Sequence, residues 1–325
     1  MALCLIRPPG CCGVAGGVVC GVICGVVQTA DREELVRPWG KGYFQGMSSS
    51  YAFDPPLAEL FASDASADLL TPQDPSPVAF ACLDGAAPAV LICDHATRYL
   101  PRRLGDLGVD SSALARHIAW DIGAEPVTRS LARRLGAPAV MSHFSRLVID
   151  PNRILSASGS MPLISDGLEV PGNRTLSAAQ RQRRVSSLFK PYHAGVVRLI
   201  EAQLARGVTP ALIFVHSFTP MMAGVARPWE IGLLWDRDDR LTRPLLQALA
   251  AKGIVVGDNE PYSGRATQDY SLHAHAESRG LPYALIEIRQ DLIDRPQGVE
   301  HWAGLLEEAL APLLRDDRVF APTGR

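Results

Sequence analysis

Short apolar runs alternate with longer amphipathic segments from residue 89 to the end of the chain. The runs predict β-strands, because each is short, rich in aliphatic side chains and bounded by turn-forming residues. These runs cover residues 89–94, 138–142, 211–215, 254–257 and 283–288. The segments between them have apolar residues three or four positions apart, a spacing that predicts helices. These segments are 112–135, 177–205, 240–252 and 300–314. Such alternation indicates an α/β domain with a mostly parallel or mixed central sheet flanked by helices.

Three stretches depart from this alternation. Residues 1–46 hold five of the seven cysteines, and we expect a disordered leader or an over-extended gene start, with a signal or anchor as the alternative. Residues 51–88 are rich in Pro, Asp, Ser and Ala and predict a loop-dominated entry with a short helix near 56–62. The stretch 156–175 is long for a connection, which is typical of lids and binding loops. We therefore expect one folded domain over 47–325.

Composition narrows the class of protein. The chain has 325 residues, of which 47% are hydrophobic, so it can bury a large core. Its net charge of −2 and scattered basic residues predict neither a nucleic-acid nor a membrane partner. Only Cys82 and Cys93 lie outside the leader, which favours a reducing, cytoplasmic location. Nucleotide-binding glycine motifs and the G-x-S-x-G nucleophile elbow do not occur in the sequence.

Two histidines, His95 and His216, directly follow two of the predicted strands. In an open α/β sheet the ligand crevice lies beyond the carboxyl ends of the strands, so two imidazoles there could bind a metal. For each histidine alone, a hydrogen-bonded core position is the alternative. Asp94 and Asp121 are the carboxylates placed best to complete the site. Two histidines, one carboxylate and an open position are typical of hydrolytic zinc.

The segment from Arg146 to Arg153 places two guanidiniums, an amide and a carboxylate within eight positions. Arginine binds carboxylates through two parallel hydrogen bonds, so Arg146 and Arg153 suit a small substrate with one or two carboxylates. Asn152 can offer both a donor and an acceptor. The alternative interpretation is a salt bridge between arginine and Asp150 within a turn.

Glu287 lies near the end of the last predicted strand, among apolar neighbours. A buried carboxylate at this place could act as a general base toward water activated by a metal. Pairing with Arg289 is the alternative. His273 and His275 precede Glu287 closely in the chain and could face the same cleft. The other histidines are expected on the surface or in the core: His117, His143, His193 and His301.

Taken together, these motifs resemble the N-formylglutamate amidohydrolase family. The likeness covers roughly residues 80–295, and several motifs occur in the same order. The matching stretches are 93–96, 117–124, 146–153, 215–220, 229–235, 258–264 and 286–293. The resemblance implies a phosphorylase/hydrolase-like fold, similar to the zinc carboxypeptidases and aspartoacylases, with the catalytic domain over 47–325.

The resemblance also implies one Zn²⁺ per chain, with His95 and His216 as ligands. Carboxypeptidases and aspartoacylases take their acidic ligand three residues after the first histidine, and Arg98 occupies that position here. The third ligand must therefore come from elsewhere, and we expect Asp121 first and Asp94 second. Manganese or iron would also accept such ligands.

For the substrate, the stretch 150–153 resembles the Asp-x-Asn-Arg motif of the aspartoacylases. This likeness implies that Asn152 and Arg153 hold the substrate carboxylate with help from Arg146, and Glu287 becomes the general base and acid. Arg289 and His275 complete the expected substrate-binding set.

The reaction implied first is hydrolysis of N-formyl-L-glutamate to formate and L-glutamate. A zinc amidase or carboxypeptidase-like enzyme acting on another N-acyl amino acid or peptide is the second interpretation. A non-catalytic binding protein on the same scaffold is the third. The expected partner is a small molecule, and a homodimer is left open.

Overall fold

A seven-stranded sheet forms the centre of the molecule in a computed structural model that describes residues 69–266 and 269–322. Its strands are β1 Val78–Ala81, β2 Ala89–Cys93, β3 Ala139–Ser142, β6 Ala211–Phe218, β9 Ile231–Leu234, β10 Val256–Asp258 and β11 Tyr283–Arg289. Their order across the sheet is β1-β3-β2-β6-β11-β9-β10. Two hairpins lie outside this sheet: β4 Ile164–Ser165 with β5 Leu168–Glu169, and β7 Met221–Met222 with β8 Val225–Ala226.

The four central strands β3, β2, β6 and β11 run parallel. On one side β1 is antiparallel to β3, and on the other β9 is antiparallel to β11 and parallel to β10. Parallel strands in the middle of a sheet are covered on both faces, so their sequences are continuous apolar runs. The mixed sheet confirms the predicted fold class.

Helices cover both faces of the sheet. Their bounds are α1 Ser111–Leu114, α2 Ala124–Leu135, α3 Ala178–Arg184, α4 Lys190–Ala205, α5 Thr242–Ala250, α6 Pro296–Leu313 and α7 Asp317–Phe320. On one face α2, α5 and α6 pack Leu131, Leu245 and Leu306 against the strands. On the other face α4 packs Val196 and Ile200. Among the described helices, none is both long and apolar enough to cross a bilayer.

The helix predicted over 112–135 is two helices, because the chain leaves helical geometry between α1 and α2. Gly123 has φ 82°, a left-handed conformation that favours glycine. A Cβ at this residue would lie 2.3 Å from the carbonyl oxygen of Ile293. Apolar spacing continues through the break, so the pattern does not reveal it. The break matters because it carries Asp121 to the end of the sheet.

The helix predicted over 177–205 is one rod, but it contains a π turn at Val185–Phe189 between α3 and α4. Strands β1 and β9 were not predicted: β1 lies in the stretch 51–88 that was expected to be a loop, and β9 contains a glycine. The glycine is Gly232. A Cβ at this residue would lie 1.9 Å from the carbonyl oxygen of Glu260, so no larger residue fits.

The stretch 156–175 is folded rather than irregular. It contains 3-10 turns at Ser158–Ser160 and Pro171–Asn173 besides the β4–β5 hairpin. Its function as a lid stays a prediction. The leader 1–46 and the helix near 56–62 lie outside the described residues.

Candidate active site

The carboxyl ends of β2, β6 and β11 bring four buried polar side chains together. His216 and Glu287 stand opposite each other in the β6–β11 register, so they occupy the same face of the sheet. His95 follows β2, and its carbonyl oxygen accepts the backbone N–H of Asp121 at 2.9 Å. The site therefore combines three strand ends with the break between α1 and α2.

His95, Asp121 and His216 form a candidate metal-binding group. Asp121 Oδ2 lies 3.2 Å from His95 Nδ1 and 2.8 Å from His216 Nδ1. One ligand atom from each of the three residues lies within 4.8 Å of the other two. Imidazole nitrogens and a carboxylate oxygen are the ligands that catalytic zinc uses. These are the three residues predicted as ligands, and the structure places them together.

The remaining imidazole nitrogens contact two further carboxylates. His95 Nε2 donates to Asp150 Oδ1 at 2.8 Å, and His216 Nε2 lies 3.2 Å from Asp94 Oδ2. Metal-binding histidines commonly donate their second N–H to a carboxylate, which orients the ring. Asp94 and Asp150 therefore hold the two rings with Nδ1 turned toward Asp121.

Asp94 is further engaged by two hydroxyl groups. Tyr192 and Ser271 each donate to its Oδ1 at 2.7 Å. Its other oxygen faces His216 Nε2, on the side of the ring away from Asp121. Of the two carboxylates considered from the sequence, Asp121 has the geometry of a ligand and Asp94 that of an orienting group.

The electrostatics of the group favour positive charge. Burial acts to raise the pKa of Asp121, but His95 and His216 lower it well below its ordinary value. Burial acts to lower the pKa of both imidazoles, yet the neighbouring carboxylates raise each above its ordinary value. Each Nδ1 can therefore donate a proton to Asp121 in a hydrogen bond, or bind the same cation as Asp121. The donor set fits a divalent ion, which would displace these protons.

Glu287 is placed for proton transfer. Its Oε2 is buried and has no hydrogen-bond partner among the described residues. Burial raises the pKa of Glu287 to about 7. Arg289 donates instead to Asp291 Oδ1 at 2.8 Å, so the alternative pairing with Glu287 is not observed. A carboxyl group that titrates near neutrality can both accept and return a proton.

The salt bridge considered as an alternative for Arg146 is present. Its Nε and NH2 donate to Asp150 Oδ2 at 3.1 and 2.7 Å, and NH1 lies 3.5 Å from Asp121 Oδ1. Arg146 therefore also holds two carboxylates of the site. Its side chain is still 25% exposed, which leaves a face toward the cleft.

Asn152 and Arg153 connect the turn after Asp150 to a second segment. Asn152 Oδ1 accepts the backbone N–H groups of Tyr270 and Ser271 at 3.2 and 2.9 Å. Arg153 NH1 donates to Asp269 and to the carbonyl oxygen of Asn152. Both side chains thus have structural partners, and their substrate-binding role stays a prediction.

His275 lies away from the cleft. It is 0% exposed and forms a 2.9 Å hydrogen bond from Nε2 to His193 Nδ1. His193 Nε2 must donate to the carbonyl oxygen of Pro151, 3.0 Å away, so its Nδ1 is the acceptor. Burial lowers the pKa of His193 to about 4 and that of His275 well below its ordinary value. This pair is part of the core behind the Asp150 turn, and the ring of His275 is fully buried there.

Acid should destabilise the protein through this pair. Above about pH 6.5 both rings are neutral in either state, but below it only the unfolded chain binds their protons. Each ring then lowers the free energy of unfolding by about 1.4 kcal/mol for each unit by which the pH falls. Urea unfolding between pH 6.5 and 5 should show a shallower pH slope for His275→Phe than for the unmodified chain. His301→Phe, at an exposed position of α6, is the control; equal slopes in all three would contradict the assignment.

Two residues at the rim of the site were missed by the sequence analysis. Arg227 NH1 donates to the hydroxyl oxygen of Tyr262 at 3.0 Å and to Thr219 Oγ1 at 3.3 Å. Partial burial and the charge of Glu287 raise the pKa of Tyr262. The one available signal was that Tyr262 belongs to a stretch already matched to the family.

The chain is similar to a known protein family and to solved structures. Residues 87–294 match the family model FGase, N-formylglutamate amidohydrolase. The structure of gene product Atu2144 from Agrobacterium tumefaciens is 34% identical, with a TM-score of 0.74 over 76% of this chain and 98% of that one. N-formylglutamate amidohydrolase from Ralstonia eutropha JMP134 shares the fold at 22% identity, with a TM-score of 0.52 over 74% and 97% of the chains. No curated protein sequence matches the chain. Since the family model covers more than half of its length, the chain belongs to the N-formylglutamate amidohydrolase family.

Proposed function

We propose that this protein is a zinc-dependent amidohydrolase that converts N-formyl-L-glutamate and water to formate and L-glutamate. The observation that carries the proposal is the buried His95–Asp121–His216 group beside the unpartnered oxygen of Glu287. Family membership supports the reaction class, and the donor set supports a divalent metal. Zinc is proposed from the ligand types.

One ion per chain would be held by the three residues of this group. When bound, Zn²⁺ supplies Lewis-acid activation of water and of the amide carbonyl. Asp150 and Asp94 keep the two imidazole rings turned toward Asp121. Because these carboxylates are buried and hydrogen-bonded, the ligand atoms are held in place before a substrate arrives.

Glu287 carries the proton in the proposed reaction. Its carboxylate accepts a proton from the water that attacks the formyl carbon, and a carbon–oxygen bond forms. It then gives that proton to the amine nitrogen as the carbon–nitrogen bond breaks. A pKa of about 7 suits both steps, since the group can accept and release a proton at neutral pH.

The α-carboxylate of the substrate would bind near the guanidinium of Arg146. This group lies 3.4 Å from His95 and is partly exposed to the cleft, so it can hold the amide over the metal site. Within the described part of the chain, Arg153 makes both of its side-chain bonds through NH1, and its other donors could bind a ligand. Arg289 lies two residues beyond Glu287 on the same face of β11 and could assist.

Formate release from N-formyl-L-glutamate by the full chain tests the proposal. We expect turnover with zinc, loss after chelation and recovery when zinc is restored. N-acetyl-L-glutamate and a short N-formyl peptide serve as comparison substrates. Absence of formate from zinc-replete, folded protein would refute the named reaction, and faster cleavage of a comparison substrate would reassign the acyl group.

A further inference from the structure

The arginines around the cleft differ in what balances their charge. Arg146, Arg153 and Arg289 are paired with protein carboxylates. Arg227 instead contacts only neutral groups in the described part of the chain. These are two hydroxyl oxygens and two aromatic rings, with its guanidinium carbon 4.9 Å from the centre of Tyr262 and 5.8 Å from that of Phe218. A guanidinium held this way can still accept an anionic partner.

Its position relates directly to the catalytic pair. Phe218 lies two residues after His216 on β6, so both side chains occupy the same face of the sheet. Two residues of a strand advance by about 6.6 Å, which places Phe218 one step beyond His216 toward the carboxyl edge. Arg227 stacks on Phe218 and therefore lies beyond the His216–Glu287 pair, at the mouth of the cleft.

Tyr262 fixes the guanidinium from the other side. Its ring faces Arg227 and its hydroxyl oxygen accepts from NH1, so stacking and a hydrogen bond act on the same group. Thr219, next to Phe218 on the chain, accepts from the same nitrogen. Four contacts from two separate segments hold a charged side chain that pairs with no carboxylate among the described residues. The guanidinium is held in place but stays partly exposed, so it can bind an anion that enters the cleft.

We propose that Arg227 is a specificity-determining residue that binds the side-chain carboxylate of the N-acylated amino acid, and that Tyr262 positions it. This inference rests on the proposed function. An acidic substrate has two carboxylates, which would need one cationic side chain near the amide and another further out. Arg146 contacts the His95–Asp121 side and suits the α-carboxylate near the amide. Arg227, one strand step further out, suits the more distant one.

The test compares N-formyl-L-glutamate with N-formyl-L-glutamine, which has the same shape without the charge. For Arg227→Met, which keeps the stem that packs on the rings, kcat/KM for the glutamate substrate should fall about 30- to 100-fold, mostly through KM. The value for the glutamine substrate should change less than about threefold, because that substrate forms no ion pair with Arg227. Arg227→Lys should recover part of the preference, and Tyr262→Phe should lower it less than Arg227→Met.

Arg243→Met is the matched control, since Arg243 also stacks on an aromatic ring, that of Trp235, but lies on α5 away from the cleft. It should keep the full preference for glutamate. The assignment would be overturned if Arg227→Met lowered kcat/KM equally for both substrates, or did not lower it for either.

Failure of the proposed reaction can be told apart from failure of this assignment. If the unmodified chain releases no formate, calorimetric binding of L-glutamate and L-glutamine replaces the rates. A preference for L-glutamate that disappears in Arg227→Met would support carboxylate recognition by Arg227 without the reaction. Equal preferences in the two proteins would overturn it.

Discussion

Replacement of Glu287 with glutamine is expected to lower kcat by about 10²- to 10⁴-fold while zinc stays bound. Glutamine keeps the size and shape of the side chain but cannot accept a proton from water. Glu287 lies outside the three-residue ligand group, and its Oε2 has no hydrogen-bond partner among the residues that the structure describes. Steady-state formate release and metal content by emission spectroscopy measure the two effects on the same protein.

The control is Glu308→Gln on α6, where the carboxylate contacts Lys252 at the surface. This variant should keep both the activity and the metal. If Glu287→Gln loses its zinc, Glu287 is a ligand and the assignment of the base is wrong. If it keeps both zinc and full activity, another group must transfer the proton.

Replacement of Asp121 with asparagine should abolish zinc binding, and the same replacement of Asp94 should only lower the affinity for zinc. Asp121 offers its carboxylate oxygen to both Nδ1 atoms, whereas Asp94 contacts the opposite nitrogen of one ring. Loss of an orienting carboxylate costs about 10- to 100-fold in metal affinity, and loss of an anionic ligand should cost more. Competition with a chromophoric chelator, started from the metal-free chain, measures both affinities.

The order of these two effects decides which carboxylate is the third ligand. A larger loss of zinc affinity in Asp94→Asn than in Asp121→Asn would reverse the assignment. Circular dichroism of both variants shows whether either has unfolded. Asp94→Asn keeps an oxygen that can accept from Tyr192 and Ser271, so its fold should survive.

Much of the sheet could be predicted because its strands are buried on both faces. The residues of β2 and β6, and all but the last of β11, are buried. Strands buried on both faces have mostly apolar sequences, so they can be recognised as apolar runs. Strands β1 and β9 escaped prediction because β1 is embedded in a stretch rich in Pro, Asp and Ser and β9 is interrupted by a glycine. The break at Gly123 also escaped prediction, since the apolar spacing on either side fits one helix.

The candidate ligands could be predicted because their positions follow from local patterns. A histidine directly after a buried parallel strand lies at the carboxyl edge of the sheet in whatever order the strands pair. His95 lies just after β2, whereas β6 runs on past His216, so that His216 and Glu287 each lie within the last three residues of their strands. The chain by itself therefore determined the α/β class, the edge at which the site forms and most of the side chains that meet there.

The tertiary structure decided which atoms of those side chains meet. Asp121 and Asp94 are equivalent as residue types near two histidines, and only the ring orientations show that one faces Nδ1 and the other Nε2. His275 is close to Glu287 in the chain but packs on His193 in the core. A role for Arg227 could not be predicted, because its hydrogen-bond partners come from the end of β6 and from a distant loop. Periodicity reports the face that a residue occupies, whereas these contacts depend on how separate segments pack together.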